Sequence, residues 1–140
     1  MALTPEQVQA VIRQGLPQAE QQGLVVEPGP GTTIRVRQPF DETLIRPGGT
    51  LSGPAMMGLA DAAMYAAILA RLGRIEMAVT QNLNINFLSR PEPGELYADA
   101  EIIRLGRRSA VLEVRVFGEH QQDMVAHVTG TYALPASRDS

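Results

Sequence analysis

The sequence predicts an α+β domain in which an antiparallel sheet wraps around one long central helix. Three observations lead to this prediction. The segment 54–72 is helix-prone and apolar on almost every side. Four segments with the alternation of strands follow it, and each has one apolar face. Because a sheet with one apolar face must bury that face, the long helix is its expected packing partner.

The chain begins with a shorter predicted helix. Thr4 supplies an N-cap hydroxyl, and Pro5 suits the first helical turn. Gln7 completes a weak capping box with Thr4. Apolar residues at helical spacing follow, and Pro17 ends the pattern. The polar stretch up to Gln22 is compatible with one further helical turn.

Strand patterns occur in two segments before the long helix and in four after it. The predicted strands are 24–27, 32–38, 79–88, 95–105, 109–117 and 124–134. In the third of these, strict alternation puts Leu83, Ile85 and Phe87 on one face. Thr80 is then predicted on the opposite face, together with three asparagines. The sequence therefore predicts a sheet of five to six strands.

Composition narrows the class of protein. The 140 residues are interpreted as a single domain, 1–140, with an N-terminal helical segment, 1–22, and a flexible tail, 135–140. The absence of cysteine excludes thiolate chemistry and fits a reducing compartment. A net charge of -3 argues against a nucleic-acid partner. The first residues have no basic start and apolar run, so we expect no signal peptide and a cytoplasmic location.

The long helix carries one acidic residue in an apolar setting. Asp61 lies near its middle, where a charge in lipid costs several kcal/mol, so we expect a buried core helix and no membrane partner. An ionised carboxylate among aliphatic side chains is costly unless it is paired, and no basic residue lies within helical reach. Asp61 is therefore a candidate functional group. The alternative is a structural role, as a cap or as the partner of a loop arginine.

A second candidate feature is the start of the same helix. Ser52 is the predicted N-cap and Pro54 the predicted first helical residue. The first N–H groups of a helix lack internal partners, and the helix dipole adds positive charge there. Gly53 has no side chain, so a ligand can approach its N–H closely. This end of the helix suits an anion or a developing oxyanion.

The spacing of these two features predicts an assembly. Gly53 and Asp61 are eight residues apart, so they lie about 12 Å apart along one helix. One reacting carbonyl cannot lie within about 3 Å of both. If both act on one substrate, they come from two copies of the chain. We therefore expect a homodimer with two-fold symmetry, which can pair again into a homotetramer.

Three motifs resemble those of a known family. Residues 46–54 read RPGGTLSGP, residues 59–63 read LADAA, and residues 84–91 read NINFLSRP. In order and spacing they resemble the PaaI-like branch of the hotdog-fold acyl-CoA thioesterases, whose first motif typically reads Asn-Pro-x-Gly-Thr-x-His-Gly-Gly. The resemblance implies a hotdog fold and hydrolysis of a small or medium acyl-CoA at a dimer interface. It implies no cofactor, with CoA entering as part of the substrate.

The resemblance also implies roles for individual residues. Asp61 corresponds to the catalytic carboxylate, as nucleophile or as general base on water, and the N–H of Gly53 corresponds to the group that polarises the thioester carbonyl. The motif is degenerate, because Ser52 replaces the usual His, Pro54 the second Gly and Arg46 the usual Asn. These three residues are predicted to contact the substrate. Ser52 can form hydrogen bonds but cannot act as a base near neutral pH.

Other side chains are secondary candidates. Tyr65, one turn beyond Asp61, is predicted either to bond that acid or line the acyl pocket, or only to pack in the core. Three arginines are candidates for the CoA phosphates by family likeness, with solvated strand ends as the alternative: Arg90, Arg107 and Arg108. Neither His120 nor His127 has a second ligand at metal spacing, so no metal is expected.

A thioesterase is the leading interpretation, and three alternatives stay open. A non-catalytic acyl-CoA or acyl-carrier binding protein is favoured by the missing His and Asn. A hotdog hydratase or dehydratase is disfavoured, because its relatives carry a His near the helix start and here no His precedes His120. A structural assembly subunit is the third, and Asp61 is the one residue that argues against it.

Overall fold

The computed structural model describes residues 2–42, 49, 52–73, 78–119 and 122–135. Within these ranges the helices are α1 (Pro5–Gly15), α2 (Pro17–Gln22) and α3 (Gly53–Leu72). The strands are β1 (Val25–Pro28), β2 (Ile34–Gln38), β3 (Val79–Phe87), β4 (Leu96–Leu105), β5 (Ser109–Gly118) and β6 (Ala126–Ala133).

The six strands form one antiparallel sheet in the order β1-β2-β4-β5-β6-β3. Helix α3 lies along its inner face and packs against β2, β4 and β5, while α1 packs on α3 and β1. This arrangement confirms the predicted hotdog fold, with six strands around the central helix. The predicted capping box of α1 is also present, because Thr4 Oγ1 accepts from Gln7 N at 3.2 Å and Gln7 Oε1 accepts from Thr4 N at 2.9 Å.

The core surrounds α3, as its composition requires. The helix is long and apolar enough to cross a bilayer, with a mean hydropathy of 1.4, yet 56% of that window is buried inside the chain. Met64, Ile68 and Leu69 are completely buried. They meet aliphatic side chains that project alternately from β4, β5 and β6. The burial of these side chains supplies the main driving force for the fold.

Helix and sheet approach each other closely at one glycine. A Cβ built on Gly130 of β6 would lie 2.5 Å from Met64 Sδ and 3.0 Å from the carbonyl oxygen of Asn82. Real Cβ atoms do not come this close, so a side chain at position 130 would displace the end of the Met64 side chain and crowd the β3 backbone at Asn82. Glycine here lets Met64 fill the space between the helix and β6.

One expectation for β3 is wrong. The register with β6 shifts between Thr80 and Asn82, since Thr80 faces Tyr132 while Asn82 faces Thr131. Gln81 is therefore the extra residue of a β-bulge, which reverses the alternation before it. Thr80 was predicted on the face opposite Leu83, but the bulge turns its side chain towards α3. The sequence gives no residue-level signal for this bulge.

The two edges of the sheet differ in their protection. Strand β1 is short, and α1 contacts it through a hydrogen bond from Val26 N to Gln9 Oε1 at 2.9 Å. Strand β3 has nine residues without a charge or a proline, and seven of the nine are exposed. Among the described residues its outer edge has no strand partner. A long uncharged edge of this kind is a template for pairing with another strand.

Substituting Gly130 with alanine tests the close approach. We expect Gly130→Ala to lower the free energy of unfolding by about 1–3 kcal/mol, because Met64 and the β3 backbone must shift. Chemical denaturation measures the change. The control is Gly15→Ala, whose Cβ meets no atom within 4 Å and which is expected to be neutral or stabilising. Equal stability of Gly130→Ala and the unmodified chain would refute this packing argument.

Candidate active site

Asp61 lies on the side of α3 that faces the first residues of β3. Thr80 Oγ1 donates to Asp61 Oδ1 at 2.6 Å, and the hydroxyl of Tyr132 donates to the same oxygen at 3.2 Å. The Tyr132 hydroxyl is also 3.3 Å from the Asp61 carbonyl oxygen. Among the described residues, no arginine or lysine forms an ion pair with this carboxylate. Two hydroxyl donors therefore hold the acid in place, and both act on one of its two oxygens.

Tyr132 is a fixed and protonated donor. It is 3% exposed, and its ring stacks on that of Tyr65, with centroids 6.2 Å apart and planes 12° apart. Burial raises the pKa of the Tyr132 phenol well above its ordinary value. The phenol is therefore neutral near neutral pH and keeps its hydrogen available for the bond to Asp61. Tyr65, one of the predicted site residues, is the other member of this pair and lines a cavity together with Asp61 and Tyr132.

The carboxylate opens into a cavity of about 730 Å³. Asp61, Thr80 and Tyr132 form its polar side, and Val11 and Leu16 from the α1 region form much of its apolar side. Ligand sites in proteins commonly have this size and this mixture of apolar walls with a few convergent polar groups. The cavity can therefore hold a small apolar group beside the carboxylate.

The start of α3 leaves one backbone donor for a ligand. Ser52 is the N-cap, as predicted, and its Oγ accepts from Ala55 N at 3.2 Å, while its carbonyl accepts from Met56 N at 3.3 Å. The helix begins at Gly53, one residue earlier than predicted, and Pro54 has no N–H. Ala55 N is bonded to the capping hydroxyl and Pro54 has no hydrogen to donate, while the Gly53 N–H has no acceptor among the described residues.

The predicted site residues form two groups at opposite ends of β3. Gly53 lies against Phe87, because a Cβ at position 53 would be 3.3 Å from the Phe87 ring, and Arg90 follows shortly after this strand end. Asp61 lies at the other end, beside Thr80. The two ends of β3 are eight residue steps of about 3.4 Å apart, so the strand is about 27 Å long. Each of the two groups lies beside a different end of it.

The exposed Arg107 and Arg108 lie at the Asp61 end of the sheet. They connect β4 to β5, and Ser109 pairs with Ala133, which in turn pairs with Val79. One chain therefore does not bring these two arginines together with Arg90. Arg46, predicted to contact the substrate, lies outside the described residues.

His127 pairs with a carboxylate on the neighbouring strand and not with Asp61. His127 Nε2 lies 2.7 Å from Glu113 Oε2, and this pair bridges β6 and β5. The hydrogen bond from His127 lowers the pKa of the Glu113 carboxyl. In the described ranges, no group of three His, Cys, Asp or Glu side chains is placed to hold a metal ion. His120 lies outside the described residues.

Two contributors to the site were missed in the sequence. Thr80 was placed on the wrong face, because a bulge cannot be read from alternation. Tyr132 lies in the last predicted strand, 124–134, and the sequence predicts no role for it. A buried tyrosine late in the last strand was the available signal, since a buried phenol normally needs a hydrogen-bond partner.

Comparison with known proteins agrees with the fold. The fold places the chain in the hotdog class. The sequence model of the thioesterase superfamily matches residues 48–125, which is more than half of the chain. The chain therefore belongs to the thioesterase superfamily. A solved structure from a Silicibacter species, named for an inferred thioesterase activity, is 34% identical, with a TM-score of 0.82 over 95% of this chain and 92% of that one.

Two further relatives carry esterase names, and a more distant structure shares the fold. A Halobacterium salinarum protein, named for an inferred esterase activity, is 33% identical over 99 residues, which cover 67% of this chain and 65% of that protein. A similarly named protein from Saccharolobus solfataricus is 28% identical over 100 residues, or 71% of this chain and 65% of the relative. The PaaI protein of the E. coli phenylacetic acid degradation operon shares the fold, with 20% identity and a TM-score of 0.73 over 91% and 95% of the two chains.

The hydrogen bond between Tyr132 and Asp61 can be measured by a double-mutant cycle. Tyr132→Phe keeps the stacked ring and removes the donor, so its coupling with Asp61→Ala is expected to be about 1 kcal/mol in the free energy of unfolding. Tyr97→Phe serves as the matched control, because that hydroxyl donates to Glu95 and should show no coupling to Asp61. A coupling near zero for Tyr132 would contradict the assigned contact.

Proposed function

We propose that the chain is an acyl-CoA thioesterase that hydrolyses a small or medium acyl-CoA thioester with the help of Asp61. The observation that carries the proposal is the placement of Asp61, held by two hydroxyl donors at the wall of a largely apolar cavity. An ionised carboxylate beside a pocket for an apolar acyl group is what thioester hydrolysis needs. Membership of the thioesterase superfamily supports the same chemistry at the level of a hydrolase.

The geometry of Asp61 suggests how it acts. Both hydroxyls bond to Oδ1, so we assign the reacting role to Oδ2. As a base, Oδ2 takes a proton from water, and the oxygen of that water attacks the thioester carbonyl carbon. The carbon–sulfur bond then breaks, and the CoA thiolate recovers the proton from the Asp61 carboxyl. As a nucleophile, Oδ2 attacks the carbonyl carbon directly, the carbon–sulfur bond breaks and the CoA thiolate leaves. Water then attacks the resulting anhydride, which returns the Asp61 carboxylate and releases the free acid, and a proton of that water goes to the thiolate.

The oxyanion in either route needs a donor. The Gly53 N–H is assigned this role, because it is at the positive end of the helix dipole and has no acceptor among the described residues. It is too far along α3 from Asp61 of the same chain to contact the same carbonyl. The proposed site therefore combines Asp61 of one subunit with Gly53 of the partner subunit.

The free edge of β3 supports this pairing. Two β3 strands that pair antiparallel about a two-fold axis bring the Phe87 end of one strand beside the Thr80 end of the other. Because Gly53 packs on Phe87 and Asp61 bonds Thr80, this operation moves the two groups together. Several large apolar side chains along β3 and the start of α3 are 42–58% exposed, as an interface requires: Met57, Val79, Phe87 and Leu88.

The same operation gathers the arginines. Arg90 lies just beyond the Phe87 end of β3, while Arg107 and Arg108 lie at the Thr80 end of the sheet. In the proposed dimer, Arg90 of the partner subunit approaches the hairpin that holds Arg107 and Arg108. Three guanidinium groups at one mouth would bind the phosphates of CoA through paired hydrogen bonds. The substrate's CoA part is thus assigned to the subunit boundary.

A non-catalytic acyl-CoA binding protein is the second candidate function. The observation that favours it is the use of Ser52 as the N-cap of α3, because a capping hydroxyl is a poor replacement for a histidine. Calorimetry that finds tight binding of an acyl-CoA together with no release of thiol would select this alternative.

Substitution of Asp61 tests the catalytic role. We expect Asp61→Asn, which keeps the shape but loses the base, to lower kcat by about a hundred-fold or more. A colorimetric thiol-release assay over a panel of acyl-CoA esters measures the effect. Binding of a non-hydrolysable CoA thioether provides the control and should change little. Turnover by Asp61→Asn equal to that of the unmodified enzyme would exclude Asp61 as the catalytic group.

A mixed dimer tests whether the site is shared. Gly53→Pro removes the proposed donor, and proline is well tolerated at the first position of a helix. Each homodimer, Asp61→Asn or Gly53→Pro, should be inactive. Co-expression with two affinity tags allows the heterodimer of the two variants to be isolated. If the groups come from different subunits, this heterodimer has one intact site, and about half of the activity of the unmodified dimer is expected. Both sites of the heterodimer stay inactive if each site lies within one subunit.

A further inference from the structure

A second cavity adjoins the one that contains Asp61. Its volume is about 190 Å³, and it lies between α3 and the corner where α1 meets α2. Three residues line both cavities: Leu16 from the corner, and Gly58 and Ala62 from α3. The two cavities are therefore adjacent. On the α3 side, only the small residues Gly58 and Ala62 lie between them.

The second cavity continues along α3 away from the carboxylate. It extends past Gly58 to Pro54, which is seven residues from Asp61, so the path is about 10 Å long at 1.5 Å per residue. A Cβ built on Gly58 would meet no atom within 4 Å. Gly58 is exposed and packing within the chain does not require a glycine here, so the path beside it is open.

The chemistry of the second cavity restricts its occupant. Its walls are apolar at Ala19, Leu24 and Leu59, and none of the described residues that line it carries a charge. At the side formed by β2 lies Gln38, which is 4% exposed and donates to the carbonyl oxygens of Gln22 at 3.4 Å and Pro39 at 3.0 Å. An uncharged apolar chain fits these walls, whereas a phosphate or a second carboxylate would lose its hydration without gaining a partner.

Leu16 stands at the boundary between the cavities. It is the C-cap of α1 and the N-cap of α2, and its N–H donates to Ile12 at 2.9 Å, so its backbone is fixed. Its side chain is 44% exposed even though it is apolar. A side chain on a fixed corner, facing both cavities, controls passage from one to the other.

We propose that the two cavities form one acyl channel, and that Leu16 and Gly58 determine which acyl groups the enzyme accepts. The inference rests on the proposed function and makes it more specific. The thioester carbonyl stays at Asp61, and the acyl tail passes between Leu16 and Gly58 into the second cavity. The channel selects straight, uncharged, medium-length acyl chains.

A chain-length profile tests the channel. The substrates are acetyl-, butanoyl-, hexanoyl-, octanoyl-, decanoyl- and palmitoyl-CoA, and the readout is kcat/KM for each. Gly58→Leu fills the channel, so the ratio of kcat/KM for octanoyl-CoA to that for acetyl-CoA is expected to fall at least tenfold. Leu16→Ala widens the passage, and the chain length with the highest kcat/KM should increase. Ala10→Leu adds nearly the same bulk, three carbons against four, on the exposed side of α1 and should leave the ratio unchanged.

The outcomes separate this inference from the proposed function. If the unmodified enzyme hydrolyses acyl-CoA esters but neither variant changes the profile, the channel is refuted and the thioesterase assignment stands. If nothing is hydrolysed, calorimetry with the octanoyl and acetyl thioether analogues of CoA still decides. A tighter octanoyl affinity that Gly58→Leu abolishes supports the channel, and equal affinities in both proteins overturn it. Thermal unfolding of each variant confirms that it is folded.

Discussion

The burial of α3 is the constraint on which the rest of the structure depends. A helix that is apolar on nearly all sides can exist in water only if other elements enclose it. One flat sheet covers one side of a helix, so this sheet curves around α3 and α1 closes part of the remaining side. The close approach at Gly130 allows β6 to join that enclosure. The order of the strands follows from this need to surround a single cylinder.

The same constraint decides where an acid can lie. The face of α3 that packs on the sheet meets fully buried aliphatic side chains, where a carboxylate would be without partners. Asp61 is instead half-buried, at the side where the sheet ends in β6 and β3. There Thr80 and Tyr132 supply hydroxyl donors, and a cavity gives access. The acid is thus stabilised by the polar edge of the enclosure, and a reactant can reach it at the same edge.

Much of the fold and part of the site could be predicted from the sequence. The physical reason for the first is different from the reason for the second. The apolar length of α3 and the alternation of the strands specify the elements, because burial acts on every residue of a pattern. The cap at Ser52 and the position of Asp61 follow from local chemistry. The role of Thr80 could not be predicted, because the bulge at Gln81 depends on how β3 and β6 are held against α3. The pairing of β3 with β6 also places Tyr132 opposite Thr80, where its hydroxyl donates to Asp61.

One helix thus supplies three different functions at three points along its length. Its first N–H is assigned to the oxyanion, Asp61 to attack on the carbonyl, and the small residue Gly58 between them to the passage of the acyl chain. Because Gly53 and Asp61 are about 12 Å apart along α3, they cannot meet on one substrate within a chain, whereas Gly58 is only three residues from Asp61 and can act with it. The proposed substrate is therefore divided between subunits: the acyl tail lies in the subunit that provides Asp61, and the oxyanion is held by the partner. Selection of the acyl chain is then a property of one subunit, while catalysis requires both.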